Sequence, residues 1–200
     1  MPTKTTKSST KSATAKPSAK SQPATKATPP AKTKKVAAKP SEAAVHPLEG
    51  KSAPAFSLTA QNGSTLTLKE LTARGNLVLY FYPKDLTPGC TTEACDFRDH
   101  LSALRKAGAE VVGISGDSTA MHDRFIAKHE LNFPLLSDPD NKIAKAYGVY
   151  KMKSLYGREY MGIERTTFII DRKGVVRRVF PKVKVNGHAT AVLSTLQSLD

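Results

Sequence analysis

Large apolar side chains are almost absent from residues 1–47 and recur regularly from Leu48 onward. In that second region, residues 55–60 read as a short extended piece, and Gln61-Asn62-Gly63-Ser64 as a turn into a second short strand at 65–68. Residues 77–82 (LVLYFY) form a continuous β-branched and aromatic run, the pattern of a strand buried on both faces. A loop at 83–89 leads into 92–107, where Phe97, Leu101 and Leu104 fall on one side of a helix that stops at Gly108. Residues 110–115 are the next buried strand. A helix over 117–130 follows, with Met121, Phe125 and Ile126 on one face. A short strand is predicted at 134–137, and Ser137-Asp138-Pro139 opens a helix that runs to about Tyr147, with Gly148 after it. Residues 165–171 and 175–180 flank Arg172-Lys173-Gly174 as a hairpin, and 189–199 is a closing helix. Strands alternating with helices, then a late hairpin, predict an α/β fold with helices packed around a mixed sheet.

The first 47 residues are of another kind. They are Lys, Ala, Thr, Ser and Pro, and Pro17, Pro23, Pro29, Pro30 and Pro40 interrupt any helix. Too little can be buried there to offset chain entropy, so a disordered tail is expected over 1–47 and a folded domain over 48–200. Ten lysines against the single acid Glu42 place nine of the chain's formal charges of +14 in that segment. No apolar run approaches the roughly 18–20 residues that span a bilayer, and the first residues have no apolar stretch of the secretory kind. A transit peptide fits the Ser/Thr/Ala content but not the lack of arginine. The expected location is the cytosol, in association with the nucleoid if the tail binds DNA, or the nucleus in a eukaryote; no membrane partner is expected.

Two cysteines, Cys90 and Cys95, stand five apart. A secreted disulfide framework usually has more, spread along the chain, so redox chemistry or metal binding is indicated. Zinc typically wants four ligands. His100, His122, His129 and His188 are scattered among polar residues and read as surface or satisfied side chains, and His46 falls in the tail. No metal or cofactor is therefore expected. Cys90 follows a Pro/Gly loop and opens a helix, where free backbone N–H groups and the helix dipole favour an anion. A thiolate is the nucleophilic form of cysteine. Attack on a peroxide also needs donors for the two oxygens. The Thr87 hydroxyl and the loop N–H groups are candidates, with Pro83 placed to close the pocket against water. Five helical residues rise about 7.5 Å and turn about 140° past one revolution. A relaxed disulfide wants Cα atoms within about 7 Å. A bond between Cys90 and Cys95 would thus require the first turns of the helix to unwind. Spacing alone leaves a structural pair or two unrelated buried thiols open.

The stretch Pro83-x-x-x-Thr87-x-x-Cys90 resembles the peroxidatic motif of the peroxiredoxins, and Cys-x-x-x-x-Cys resembles the PrxQ branch, also called bacterioferritin comigratory proteins. The resemblance extends to Ala53-Pro54-Ala55-Phe56, Val112-Gly113-Ile114-Ser115, Leu135-Leu136-Ser137-Asp138 and Gly162-Ile163-Glu164-Arg165-Thr166-Thr167-Phe168-Ile169-Ile170-Asp171, covering residues 48–200. It implies a thioredoxin-like fold and a peroxidase in which Cys90 becomes a sulfenic acid and Cys95 resolves it. It also implies that Arg165 joins Pro83, Thr87 and Cys90 at the active site. Hydrogen peroxide and alkyl hydroperoxides are the implied substrates, thioredoxin or a similar dithiol protein the reductant, and a monomer the implied state. The tail departs from the branch. Its Lys-Pro, Lys-Ala and Thr-Lys pairs resemble linker-histone and nucleoid-protein tails, so non-specific binding to nucleic acid is expected of 1–47. The competing reading makes that tail the working part of a nucleic-acid-associated protein. A thioredoxin-type disulfide reductase is disfavoured because the spacing is not Cys-x-x-Cys.

Overall fold

A computed structural model describes residues 46–155 and 157–199. The expectation of a disordered tail over 1–47 lies, apart from His46 and Pro47, outside the described residues. Those two belong to the folded part, in contrast to their expected place in the tail. The half-buried His46 ring meets Phe168 edge-on at 5.3 Å, and its Nδ1 accepts a hydrogen bond from the Leu48 N–H at 3.3 Å.

The elements run β1 (Ser57–Ala60), β2 (Thr65–Thr67), α1 (Leu68–Arg74), β3 (Asn76–Phe81), α2 (Pro88–Lys106), β4 (Ala109–Ser115), α3 (Thr119–His129), β5 (Leu135–Ser137), α4 (Lys142–Ala146), β6 (Tyr150–Leu155), β7 (Arg158–Ile163), β8 (Thr166–Ile170), β9 (Val176–Phe180) and α5 (His188–Gln197). Seven strands form one mixed sheet in the order β2-β1-β5-β4-β3-β8-β9, while β6 and β7 pair separately as a hairpin. β3 is central, parallel to β4 and antiparallel to β8. This is the mixed, thioredoxin-like α/β architecture that the alternation of elements and the resemblance predicted.

The continuous apolar run of β3 is explained by its place. Leu77, Leu79 and Phe81 enter one core with Leu71 of α1, Ala144 of α4 and Phe168 of β8. Val78 and Tyr80, with Tyr82 just beyond the strand, enter the other core with Phe97, Leu101 and Leu104 of α2, Phe125 of α3 and Val192 of α5. A strand covered by helices on both faces has no polar side to present. Gly113 in β4 permits this packing. A Cβ there would lie 2.7 Å from Tyr80 Cζ and 2.7 Å from Leu135 Cδ2.

Three local expectations are corrected. Residue 68 is not the end of a strand but the start of α1. Thr67 closes a capping box, its Oγ1 accepting from the Glu70 N–H while the Glu70 carboxylate accepts from the Thr67 N–H at 2.9 Å. The helix expected to open at Ser137-Asp138-Pro139 begins at Lys142, because the Asp138 carboxylate reaches over a turn to accept the N–H groups of Lys142, Ile143 and Ala144. The β6–β7 hairpin was not anticipated. Its side chains are mostly exposed and carry no clear apolar alternation. No helix among the described residues is long and apolar enough to cross a membrane.

Candidate active site

The site is built at the start of α2, one loop after the central strand. Thr87 is the N-cap, and Pro88, Gly89 and Cys90 are the first three helical residues. Proline suits the first position, where its missing N–H has no intrahelical acceptor to lose. The first bond of the helix is donated by the Thr91 N–H to the Thr87 carbonyl at 2.8 Å, so the amides of Gly89 and Cys90 precede the ladder. The helix therefore begins at Pro88, four residues before the expected start. Cys90 sits inside its positive end, and the thiol is buried in the Tyr80, Tyr82, Ala94 and Phe97 core.

Arg165, just before β8, comes across the sheet to this point. Its Nη2 donates to Cys90 Sγ at 3.2 Å and its Nη1 to the Gly89 carbonyl at 3.1 Å. Gly89 makes room for it, since a Cβ there would lie 3.3 Å from Arg165 Nη2. A permanently charged guanidinium this close to sulfur is placed to stabilise negative charge there. Cys90 and Arg165 are thus brought together from positions 75 apart in the chain.

The other expected residues stand differently. Thr87 is half-buried, and its hydroxyl donates to the Lys84 carbonyl at 3.0 Å, not to Cys90. The hydroxyl must turn, or use its lone pairs, to meet a peroxide. Pro83 is exposed at the start of the loop, and the aromatic core lies behind Cys90. Cys95 is a half-buried free thiol one and a half turns further along the intact helix. It lines an open hollow of about 570 Å³ with Asp96, Val185 and Gly187. The geometry keeps the two thiols apart, as helical spacing predicted.

Several groups escaped the sequence reading. Glu93 is 1% exposed and projects beside Arg165, with Oε2 3.4 Å from Nε. That distance is one of an ion pair, yet neither carboxyl oxygen has a hydrogen-bond partner among the described residues. Burial pushes the Glu93 carboxyl up to about 8, against the pull of Arg165, with Asp96 adding to the rise. The rise favours the neutral carboxyl, which draws less on the charge of Arg165. The Tyr80 hydroxyl is also buried without a partner among the described residues, and burial and then Glu93 raise it well above its usual range. Lys153 of β6 donates to the Ile163 carbonyl. Burial lowers it, the charges of Glu164 and Cys90 raise it, and Arg165 lowers it further, so a second cation feels this site. Helical spacing carried a signal for Glu93, because it lies on the face of Cys90, Ala94, Phe97 and Leu101. No signal pointed to Lys153.

Two histidines read as surface or satisfied are buried. His188 Nε2 lies 2.8 Å from Thr167 Oγ1, and burial lowers the ring to about 4, with Asp96 opposing and Arg165 reinforcing the shift. His122 pairs through Nδ1 with Asp85 at 2.7 Å, but its Nε2 has no partner among the described residues.

Comparison with known proteins gives the family. Residues 50–179 match the model of the AhpC/TSA family. Peroxiredoxin Bcp of Bacillus subtilis is 46% identical over 150 residues, spanning 75% of this chain and 95% of that protein. Among solved structures, Xanthomonas campestris peroxiredoxin Q superposes with a TM-score of 0.68 at 47% identity, covering 72% of this chain and 90% of that one. Peroxidoxin BcpB of Mycobacterium tuberculosis gives a TM-score of 0.69 at 36% identity, covering 76% and 97%.

Proposed function

Because the chain belongs to the AhpC/TSA family, among its Bcp/PrxQ peroxiredoxins, and is thereby a thiol-dependent peroxidase, we propose for it a two-cysteine cycle carried by Cys90 and Cys95. The observation that carries this reading is Arg165 Nη2 at 3.2 Å from a buried Cys90 Sγ inside a helix N-terminus. The Cys90 thiolate attacks one peroxide oxygen. The O–O bond breaks, the leaving oxygen takes a proton to give water or an alcohol, and Cys90 becomes a sulfenic acid. Arg165, the Thr87 hydroxyl and the early amides of α2 stabilise the developing charge, and Pro83 forms the loop wall before them.

Resolution needs motion. Positions 90 and 95 of an intact helix lie beyond the Cα separation of about 7 Å that a disulfide tolerates. The first turns of α2 unwind, the Cys95 thiolate attacks the Cys90 sulfur, hydroxide leaves as water, and the disulfide forms. A dithiol protein such as thioredoxin then returns both thiols by exchange. Hydrogen peroxide and small organic hydroperoxides fit this chemistry, and we place the cycle in the cytosol.

Reduced protein given one equivalent of hydrogen peroxide should lose about two mass units and yield one peptide linking Cys90 to Cys95. Two free thiols after minutes at neutral pH would defeat the reading. Cys90→Ser should abolish turnover, and Cys95→Ser should consume peroxide once and then recycle poorly with thioredoxin.

The segment 1–47 adds a separable property. Ten lysines against one acid favour loose binding to phosphate backbones by counterion release. Removing these residues should lower DNA affinity in moderate salt and leave peroxidase activity unchanged. Unchanged DNA affinity after removal would sink this part of the reading.

A further inference from the structure

Asp85 is the one buried residue in an otherwise accessible loop. Pro83, Lys84 and Leu86 are exposed, and Leu86 takes a positive φ of 59° to let the chain turn outward. Asp85 points inward and is 3% exposed. Its carboxylate accepts from the Tyr82 hydroxyl at 2.7 Å and from His122 Nδ1 at 2.7 Å. Its own N–H donates to Asp117 Oδ2 at 2.8 Å, and that oxygen also accepts from Ser115 Oγ at 2.8 Å. The loop in front of Cys90 is thus tied at one residue to the ends of β3 and β4 and to α3.

Besides Asp85, the one polar group near His122 among the described residues is the Tyr82 hydroxyl, itself bonded to Asp85, at 3.4 Å from Nδ1. His122 is fully buried, and its second ring nitrogen has no hydrogen-bond partner among those residues. A buried polar atom left unpaired costs stability, so a well-packed apolar residue would hold the core better. What an apolar residue could not do is donate to Asp85.

We propose that His122 is a positioning residue for the peroxidase: through Asp85 it fixes the loop before Cys90 and anchors the near end of the segment that rearranges when α2 unwinds. The inference rests on the two-cysteine reading above. The segment that must rearrange is bounded on its far side by Phe97, which is fully buried against Tyr80 at 5.0 Å and His188 at 5.6 Å between ring centres. Asp85 supplies the near boundary. Between them lie Thr87, Cys90, Glu93 and Cys95, so unwinding stays local and the loop returns Thr87 and Cys90 to register with Arg165. Without His122, Asp85 keeps one partner on its side chain, the near boundary loosens, and the folded, peroxide-reactive arrangement loses population to the unwound one.

The test separates the two chemical steps. Rapid quench with a sulfenic-acid trap and mass spectrometry follows sulfenic-acid formation at Cys90 and then disulfide formation. His122→Phe, which fills the space without a donor, should slow the peroxide step about tenfold, as small misplacements of reacting groups do. The disulfide step should be unchanged or faster. His122→Asn, whose amide can donate from near the Nδ1 position, should recover most of the peroxide rate. Amide exchange over 86–95 should rise in the Phe variant and not elsewhere. Both steps within twofold of the parent, or both slowed together with faster exchange throughout the domain, would overturn the proposal. If the Phe variant does not fold, Asp85→Asn, which keeps the oxygen facing Tyr82, carries the same expectations and the same refutation. Failure of the unaltered protein to form the disulfide would instead refute the two-cysteine reading.

Discussion

Helices α1 and α2 both start after a threonine, Thr67 and Thr87, and each carries a group able to bear negative charge three residues on, Glu70 and Cys90. In α1 the N-terminal end is closed. Thr67 Oγ1 accepts from the Glu70 N–H, and the Glu70 carboxylate accepts from the Thr67 N–H and hydroxyl. In α2 the threonine makes no cap bond and turns to the Lys84 carbonyl, and the third residue is a thiol facing an arginine. The same offset serves a stability device in one place and leaves anion-stabilising groups available in the other. An uncapped helix start gives up about 1 kcal/mol. In exchange it keeps donors for a thiolate and a peroxide, and it leaves a first turn that can come apart. Glu93 extends the contrast. Glu70 is exposed and held below the usual carboxylate range by its bonds to Thr67. Glu93, on the other helix, is buried without a hydrogen bond among the described residues and pushed up to about 8.

The largest effect should come from removing what makes the α2 terminus different. Arg165→Met should lower the rate of Cys90 oxidation by roughly 10²–10³, the usual loss for a charge-stabilising donor, with the melting temperature little changed. A rate within twofold of the parent would mean that the helix terminus alone activates the thiol.

Next in size is a dependence on pH that Glu93 should impose on unwinding. Below about 4.5 the carboxyl is protonated whether the turn is wound or not, and it favours neither form. As pH rises from there towards about 8, the unwound form ionises and the wound form does not, so the wound form steadily loses ground. The disulfide-forming step should therefore gain roughly tenfold or more from Glu93 between pH 5 and 8. Glu93→Gln should remove that gain. Identical pH profiles for the two proteins in rapid-quench measurements would rule the coupling out.

A smaller effect is expected of Gly89→Ala. Helical backbone tolerates alanine, and the clash is with the end of a flexible side chain, so stability should hold. Displacing the Arg165 guanidinium by a few tenths of an ångström should cost peroxide reactivity about threefold to tenfold. The smallest catalytic effect belongs to the control helix. Thr67→Ala should cost about 1 kcal/mol of stability, seen as a melting temperature a few degrees lower, and should leave the peroxide rate unchanged. A matching loss of activity would mean that the two helix starts are not independent.

The central elements were legible because their apolar runs are long and one-sided or continuous: β3, α2, β4, α3 and the β8–β9 hairpin stand close to where the sequence places them. Helix α1 was lost because seven residues give too few turns for a period to show, although Thr67 and Glu70 spelled its cap. The β6–β7 hairpin was lost because strands exposed on most positions need no apolar alternation.

By itself the sequence determined the fold class, the cysteine pair and its wide helical spacing, and the lysine-rich character of 1–47. Each depends on residues near one another in the chain, where helix geometry and composition are enough. Only the tertiary structure decided what surrounds the thiol: Arg165 on Cys90, buried Glu93 beside it, and His122 and Tyr82 holding Asp85. Apart from Tyr82 with Asp85 and Cys90 with Glu93, these groups lie far apart in the chain. Their charge and hydrogen bonding are set by burial, which no local pattern of residues specifies.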